Sequence, residues 1–239
     1  MCGIFGVYSF NQKPLTIEKG IFLELAKANY PRGPRGFGSL ALSTTQGTQP
    51  YYCSTMNTYP FSKWIDSLGE YIDKYKAYAY LGHCRAPTGG THEFLHPHVL
   101  PDTGGANWSG RYSFFAHNGL MLDFQALSKL SGLMVNDIDT VHIHQYLLHG
   151  IHPISIEDKL SYLAKIPGSF SFWWFTTINY KLRIGRCQGT VYYNISDYFV
   201  FSSVKTDLTP HLMNDGDLYT IGIDGALEVT HFEAYNPLL

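Results

Sequence analysis

The chain begins Met1-Cys2-Gly3-Ile4-Phe5-Gly6-Val7-Tyr8, and this stretch decides how the rest of the sequence is interpreted. Removal of Met1 would leave Cys2 with a thiol and a free α-amine in one residue. The amine can serve as the general base for the thiol, directly or through a water, because an α-amine titrates near neutral pH. The apolar run predicts a buried strand over residues 3–9. A cysteine at position 2 also arises by chance, so its function depends on what accompanies it.

The composition is that of a folded globular chain. Its 239 residues are 45% hydrophobic and 15% aromatic, with 18 Tyr and 15 Phe, which favours strands and excludes a disordered chain. This length suits one domain with a large core or two small ones. Because no repeat, low-complexity tract or linker divides the sequence, we expect a single domain over residues 1–239.

Charge, hydropathy and cysteine usage exclude several classes of function. The net charge is -2 and no run is rich in Lys or Arg, which argues against a nucleic-acid partner. No apolar run reaches membrane-spanning length, and no basic-then-apolar signal opens the chain, so no membrane association is expected. Cys2, Cys53, Cys84 and Cys187 lack CxxC spacing, which predicts free thiols and a cytoplasmic location.

Hydrophobic periodicity predicts an α+β chain. The predicted helices cover residues 17–28, 64–75, 122–130, 141–148 and 156–166, the first with Thr16 as its N-cap. The predicted strands after the first cover residues 39–43, 49–55, 77–83, 112–116, 169–177, 181–185, 190–194, 198–202, 218–223 and 226–231. This order predicts one α+β domain in which helices cover stacked sheets.

Two segments between these elements carry residues suited to a site. The stretch Arg32-Gly33-Pro34-Arg35-Gly36-Phe37-Gly38 is either a plain turn or a loop whose glycines permit close backbone approaches. Arg85 follows the strand at 77–83 and offers a planar fork for a carboxylate, although an ordinary surface salt bridge is an alternative.

Two further segments suit a site in the second half of the chain. Asn118-Gly119 after the strand at 112–116 is first a turn signal, and it also offers a side-chain amide and a backbone N–H for an oxyanion hole. Asp137 or Asp139 could simply cap the helix that follows.

Histidines cluster at His96-Pro97-His98, in a long loop predicted over residues 92–110. Clustered histidines can bind zinc, but no HExxH motif or Cys/His tetrad accompanies them. A structural His-Pro turn is the favoured interpretation, and no metal site is expected.

In this order, the motifs resemble the class II glutamine amidotransferase (glutaminase) domain of the N-terminal-nucleophile hydrolase superfamily. The most specific matches are Met1-Cys2-Gly3-Ile4-Phe5-Gly6 and His117-Asn118-Gly119. They are accompanied by Arg32-Gly33-Pro34 with Gly38, Gly82-His83-Cys84-Arg85 with Thr88 and Gly90, His96-Pro97-His98, and Asp139-Thr140. Stretches at residues 168–170, 182–186, 200–203 and 214–217 also look like the family's tail, so the resemblance covers nearly the whole chain. It implies a four-layer αββα sandwich with two stacked, mainly antiparallel sheets.

The resemblance implies a catalytic set and its chemistry. Cys2 would attack the side-chain amide of L-glutamine while its own α-amine carries the proton. Asn118 and Gly119 would form the oxyanion hole. Ammonia would leave, and water would release glutamate from a γ-glutamyl thioester.

The resemblance also implies a binding site for the amino-acid end of glutamine. Arg85 and Thr88 would hold its α-carboxylate, and Asp139 would take its α-ammonium. Arg32 would steady the loop around Cys2. No cofactor and no metal is implied.

The resemblance leaves more than one function open. In relatives a second domain consumes the ammonia, and this sequence has no P-loop or SGGxDS-type nucleotide loop. We therefore expect a stand-alone glutaminase that supplies ammonia to an acceptor on a separate partner protein. One alternative is a hydrolase of a γ-glutamyl compound or another amide. The other is a non-catalytic binding or regulatory protein with the same fold, in which Met1 stays attached.

Overall fold

The computed structural model describes residues 2–15, 19–43, 51–56, 60–75, 77–86, 97–101, 111–134, 138–150 and 154–234. Its helices are α1 (Lys19–Asn29), α2 (Phe61–Tyr75), α3 (Phe124–Ser131), α4 (Asp139–His149) and α5 (Ile156–Ala164), with a 3-10 turn at Tyr30–Arg32. Its strands are β1 (Gly3–Ser9), β2 (Gly36–Leu42), β3 (Tyr51–Met56), β4 (Ala79–Cys84), β5 (His98–Pro101), β6 (Tyr112–Met121), β7 (Gly168–Thr176), β8 (Lys181–Cys187), β9 (Tyr192–Ile195), β10 (Tyr198–Ser202), β11 (His211–Leu212), β12 (Asp217–Ile221) and β13 (Leu227–His231).

The described strands form two sheets. The first has the order β11-β9-β10-β1-β4-β2-β3 and the second the order β13-β12-β8-β7-β6-β5, and every strand pairing is antiparallel. Strand β1 lies inside the first sheet, between β10 and β4, and all of its residues are buried. The residue that precedes it, Cys2, is therefore attached to a fixed part of the core.

Side-chain alternation along the strands builds the layers. In β1, Ile4 and Tyr8 belong to a core shared with residues of the second sheet, whereas Phe5 and Val7 pack with side chains of α1 and α2. A third core joins the outer face of the second sheet to α3, α4 and α5. The layers are thus helices, sheet, sheet and helices, which confirms the predicted α+β, four-layer αββα architecture.

Three local predictions need correction. Strand β6 does not stop before His117-Asn118-Gly119 but continues through it to Met121, since every residue from Ser113 to Met121 has a partner in β7. The loop predicted over residues 92–110 contains β5, an edge strand that pairs with β6. Strand β11 is two residues long, too short for an alternation pattern to indicate it.

Other predictions lie partly outside the described residues. Helix α1 ends at Asn29, one residue beyond the predicted end at residue 28, and Thr16, its expected N-cap, is not among the described positions. Cys2, Cys84 and Cys187 are free thiols, as predicted, while the side chain of Cys53 lies outside the described part of the structure. Within the described ranges, no helix is long and apolar enough to cross a membrane.

Candidate active site

Cys2 is half-buried at the start of β1, and Arg32 holds its backbone. The Arg32 Nε donates to the Cys2 carbonyl oxygen at 3.0 Å, and its Nη1 donates to the Ser203 carbonyl oxygen at 3.2 Å. The Cys2 Sγ lies 3.6 Å from the carbonyl oxygen of Ala86. Arg32 thus joins the residue before β1 to the residue after β10, and the thiol projects toward the chain that follows β4.

The environment of the Cys2 thiol favours its protonated form. Burial raises the pKa of Cys2, the positive charge of Arg85 opposes that rise, and the negative charge of Asp139 adds to it. The thiol is therefore neutral near pH 7, and it needs a base before it can act as a nucleophile.

The nearby histidines are poor candidates for that base. Burial, with a smaller contribution from Arg85, lowers the pKa of His83 to about 3. Burial also lowers the pKa of His117. The hydrogen bond of the Cys2 thiol goes to a backbone carbonyl and not to either ring. After removal of Met1, the α-amine of Cys2 would belong to the same residue as the thiol, which neither imidazole does.

The glycine-rich segment at residues 32–38 fixes the backbone of Arg85. The Arg85 N–H donates to the Gly36 carbonyl oxygen at 2.8 Å, and the Arg35 N–H donates to the Arg85 carbonyl oxygen at 3.1 Å. A Cβ on Gly33 would lie 2.6 Å from the carbonyl carbon of Arg85 and closer still to that of Cys84. The segment is therefore a close backbone approach and not a plain turn.

The Arg85 side chain is only 6% exposed. This burial rules out the surface salt bridge considered from the sequence. Burial lowers the pKa of Arg85, while the charges of Cys2 and Asp139 oppose that change. Among the described residues, its Nη1 has no hydrogen-bond partner. A buried guanidinium with a spare donor can receive a carboxylate, although Thr88, the predicted second ligand, lies outside the described residues.

Asp139 is the first residue of α4, but it does not cap the helix. The N-cap is Ile138, and it makes no side-chain cap bond. The Asp139 Oδ2 accepts from the Met121 N–H at 3.0 Å, and its Oδ1 accepts from the Thr140 N–H at 2.7 Å. The carboxylate is therefore held between the end of β6 and the start of α4, beside the site and not at a solvent-exposed helix end.

His117 lies next to this carboxylate. Its Nδ1 is 3.8 Å from the Asp139 Oδ1 and 3.3 Å from the Thr140 Oγ1. Because burial lowers the pKa of His117, the ring is neutral at pH 7 and leaves the Asp139 charge unneutralised. A negative charge in this position suits a substrate ammonium group.

Asn118 and Gly119 lie in β6, opposite Ser171 and Phe170 of β7. Gly119 has φ +151, and a Cβ there would lie 2.8 Å from the carbonyl carbon of Ser169. Only glycine fits this conformation and this contact. The Asn118 Nδ2 is 3.3 Å from the Ser203 Oγ and 3.4 Å from the Ser171 Oγ.

Ser203 connects the predicted residues, and no sequence pattern singled it out. Its Oγ accepts from the Ile4 N–H at 3.0 Å, and its N–H donates to the Ile4 carbonyl oxygen at 2.8 Å. It also contacts Asn118 through its hydroxyl and Arg32 through its carbonyl. A buried serine after a strand has no periodicity or spacing signal, and only the resemblance of residues 200–203 to a family tail touched it.

The structure thus brings together most of the predicted set. Cys2, Arg85 and Asp139 interact electrostatically with one another, and Arg32 donates to the Cys2 carbonyl oxygen. Asn118 contacts the Ser203 hydroxyl, which is hydrogen-bonded to Ile4 in β1, the strand that follows Cys2.

The predicted histidine turn has a different environment. His98 is in β5, and its Nδ1 lies 3.0 Å from the Nδ1 of His144 on α4, while His96 lies outside the described residues. Over the described part of the chain, no three His, Cys, Asp or Glu side chains are grouped as metal ligands.

Comparison with solved structures identifies the fold. Glutamine phosphoribosylpyrophosphate amidotransferase from B. subtilis, complexed with ADP and GMP, matches 98% of this chain with a TM-score of 0.68 and 17% identity. An allosteric regulatory enzyme of purine biosynthesis matches 98% with a TM-score of 0.70 and 18% identity. The match covers 50% of each of those chains, so this chain spans half their length. Protein-family models and curated protein sequences give no match. The chain therefore has the fold found in these two enzymes.

Proposed function

We propose that this chain is a glutaminase that hydrolyses the side-chain amide of L-glutamine through a γ-glutamyl thioester on Cys2. The observation that carries the proposal is the arrangement of three groups: a thiol at the second residue, a buried guanidinium and a buried carboxylate, each close enough to affect another's ionisation. The fold shared with a glutamine phosphoribosylpyrophosphate amidotransferase supports the same function.

The opposite charges select the amino-acid end of the substrate. Arg85 receives the α-carboxylate on its spare donor, together with Thr88, and Asp139 takes the α-ammonium. Fixing both groups leaves the glutamine side chain as the part that reaches Cys2. The same pair would exclude a glutaminyl residue within a peptide, because its α-groups are amides without charge.

The reaction needs no cofactor in this proposal. After Met1 is removed, the α-amine accepts the Cys2 proton, and the thiolate attacks the amide carbon of glutamine. The resulting oxyanion is held by the Asn118 side chain and the Gly119 N–H. The protonated amine then gives its proton to the departing ammonia, which leaves the thioester. A water, deprotonated by the same amine, releases glutamate and the thiol.

The ammonia is used, in this proposal, by an acceptor on a separate protein. The support for this is the sequence, which has no P-loop or SGGxDS-type nucleotide loop. Mass spectrometry of the complex purified from its native source is the direct way to identify this partner.

The test begins with protein from which Met1 has been removed, as shown by its intact mass. It should release glutamate and ammonia from glutamine, and a diazoketone analogue of glutamine should add one label per chain at Cys2. Cys2→Ala should abolish both results. Cys187→Ala is the matched control, since that thiol is also buried but lies outside the site, and it should change neither. The proposal fails if the processed protein neither turns over glutamine nor takes the label.

The alternative substrates are tested in the same assay. Faster turnover of short γ-glutamyl peptides than of glutamine would assign the site to a γ-glutamyl compound instead. An intact mass that retains Met1 in active cells would favour the non-catalytic hypothesis, because Cys2 would then have no free amine.

A further inference from the structure

The hydrogen bonds around the Asn118 amide are poorly matched as they stand. Asn118 is 2% exposed, and its Oδ1 is buried without a hydrogen-bond partner among the described residues. Its Nδ2 instead makes two long contacts, 3.3 Å to the Ser203 Oγ and 3.4 Å to the Ser171 Oγ. A buried carbonyl oxygen without a donor is unfavourable, so this orientation of the amide should be disfavoured in the working protein.

The Ser203 hydroxyl is mismatched in the same arrangement. Its oxygen accepts from the Ile4 N–H at 3.0 Å and from the Asn118 Nδ2, which uses both of its lone pairs. Its own proton then has no acceptor among the described contacts. The Ser171 hydroxyl has no such mismatch, because it donates to the main-chain carbonyl oxygen of Asn118 at 3.1 Å.

A half-turn of the Asn118 carboxamide resolves both mismatches. The two ends of the amide have nearly the same size, so exchanging them leaves the packing unchanged. The Oδ1 then lies where Nδ2 was, within reach of the Ser203 hydroxyl, and accepts its proton. The Ile4 N–H still donates to the Ser203 oxygen. The Nδ2 takes the former place of the Oδ1 and no longer faces the two serines, so its N–H groups can donate to a ligand.

We propose that Ser203 is a positioning residue that holds the Asn118 amide with its N–H groups directed at the substrate oxyanion. This inference deepens the proposed function and rests on it. The Ser203 hydroxyl connects the two parts of the site: it accepts from the Ile4 N–H, in the strand that follows Cys2, and donates to the Asn118 amide of the oxyanion hole. The serine thereby sets the position of the nucleophile strand relative to the oxyanion donor.

A positioning role for Ser203 predicts a change in kcat without a change in KM, which a purely structural role would not. In Ser203→Ala, Asn118 loses the donor that fixes its orientation, so the oxyanion is stabilised less while the substrate still binds. We expect kcat for glutamine to fall about 10- to 100-fold with little change in KM, somewhat less than the loss of a whole oxyanion donor. Ser171→Ala, at an equally buried serine that also contacts Asn118, should change kcat by less than about threefold.

Two measurements separate positioning from a general loss of structure. Alkylation of Cys2 by iodoacetamide needs the thiol but forms no oxyanion, so its rate should be the same in Ser203→Ala and the parent protein. In an Asn118→Ala background, Ser203→Ala should have no further effect on kcat, because the residue through which it acts is missing. An equal loss of alkylation, or the same fold-loss in both backgrounds, would overturn the proposal.

A neutron structure tests the orientation without any activity. It should show the Ser203 deuteron directed at the Asn118 Oδ1. Amide deuterons directed at Ser203 and Ser171 would overturn the inference, whatever the protein's activity. Conversely, if the processed protein does not hydrolyse glutamine but the neutron structure shows the expected orientation, the proposed function has failed and the hydrogen-bond assignment stands.

Discussion

Replacing Gly119 by alanine should damage both the fold and the site. A Cβ at this position would lie 2.8 Å from the Ser169 carbonyl carbon and 2.9 Å from the His117 Nε2, and closer still to the Ser169 oxygen. Both the carbonyl carbon and its oxygen are backbone atoms of β7, the strand that pairs with β6. The strand must therefore withdraw by about 1.5 Å to restore a contact of about 3.5 Å with the Ser169 oxygen.

The expected magnitude follows from these contacts. An alanine held at φ +151 costs about 1–3 kcal/mol, and each ladder hydrogen bond lost on withdrawal costs about 1 kcal/mol. A total of about 3 kcal/mol corresponds to a decrease in Tm of roughly 6–12 °C for a chain of this size. Glutamine turnover should fall about 100-fold, because the donor at position 119 is displaced from the oxyanion.

Calorimetry and a glutamate-release assay measure the two effects. Gly132→Ala is the matched control, since Gly132 also has a positive φ, +71, but a Cβ there meets nothing within 4 Å. It should lower Tm by only roughly 2–4 °C and leave turnover unchanged. A Gly119→Ala protein with the Tm and turnover of Gly132→Ala would refute the account of β6 and β7.

Three further predictions concern charge. Arg85→Lys keeps the positive charge but loses the planar fork, so KM for glutamine should rise about tenfold with kcat less affected, as steady-state kinetics would show. Asp139→Asn should raise KM at least about tenfold and, because its amide NH2 must face the N–H of Met121 or Thr140, lower the unfolding free energy by about 1–3 kcal/mol in urea titrations. Burial lowers the pKa of His98 to about 4, so between about pH 6.5 and pH 4 only the unfolded state is protonated at this residue, and His98 should contribute a fall in stability of about 1 kcal/mol per pH unit on acidification, added to that from the other buried histidines. Urea unfolding at pH 7 and pH 4.5 should show that His98→Asn reduces this loss; an unchanged pH dependence would contradict the assignment to His98.

The layered fold was accessible from the sequence because its signals are local. The apolar run after Cys2 predicted β1 with the observed bounds, and the closely spaced strands predicted after Pro167 match β7, β8, β9, β10, β12 and β13, whereas β5 and β11 were missed. Each of these elements is long enough to show its own alternation.

The environment of His117-Asn118-Gly119 was not accessible in the same way. An Asn-Gly pair predicts a turn, whereas here it continues a strand because β7 pairs with it along its full length. The pairing with β7 overrides the local preference for a turn, and the strand continues through Gly119 with a φ of +151. Likewise, Asp139 resembled a helix cap, yet its carboxylate accepts from the N–H of Met121, a contact across 18 residues.

The role of Ser203 could not be predicted from the sequence. It lies 199 residues from Ile4 and 85 from Asn118 in the chain, and only the folding of both sheets brings the three together. A single sequence contains no record of such a contact when the residue is a common one.

The bond from Arg32 to the Cys2 carbonyl has a practical consequence for producing the protein. It holds the second residue from the carbonyl side, so we expect the core to form whether or not anything is attached to the amine. A tag fused before Cys2 should therefore give a well-folded protein that does not hydrolyse glutamine, because Cys2 has no free α-amine. Spectroscopic measurements of folding would not reveal this loss. On the proposed mechanism, affinity tags belong at the other end of the chain, and removing an N-terminal fusion at a protease site directly before Cys2 should start glutamine hydrolysis at a chosen moment.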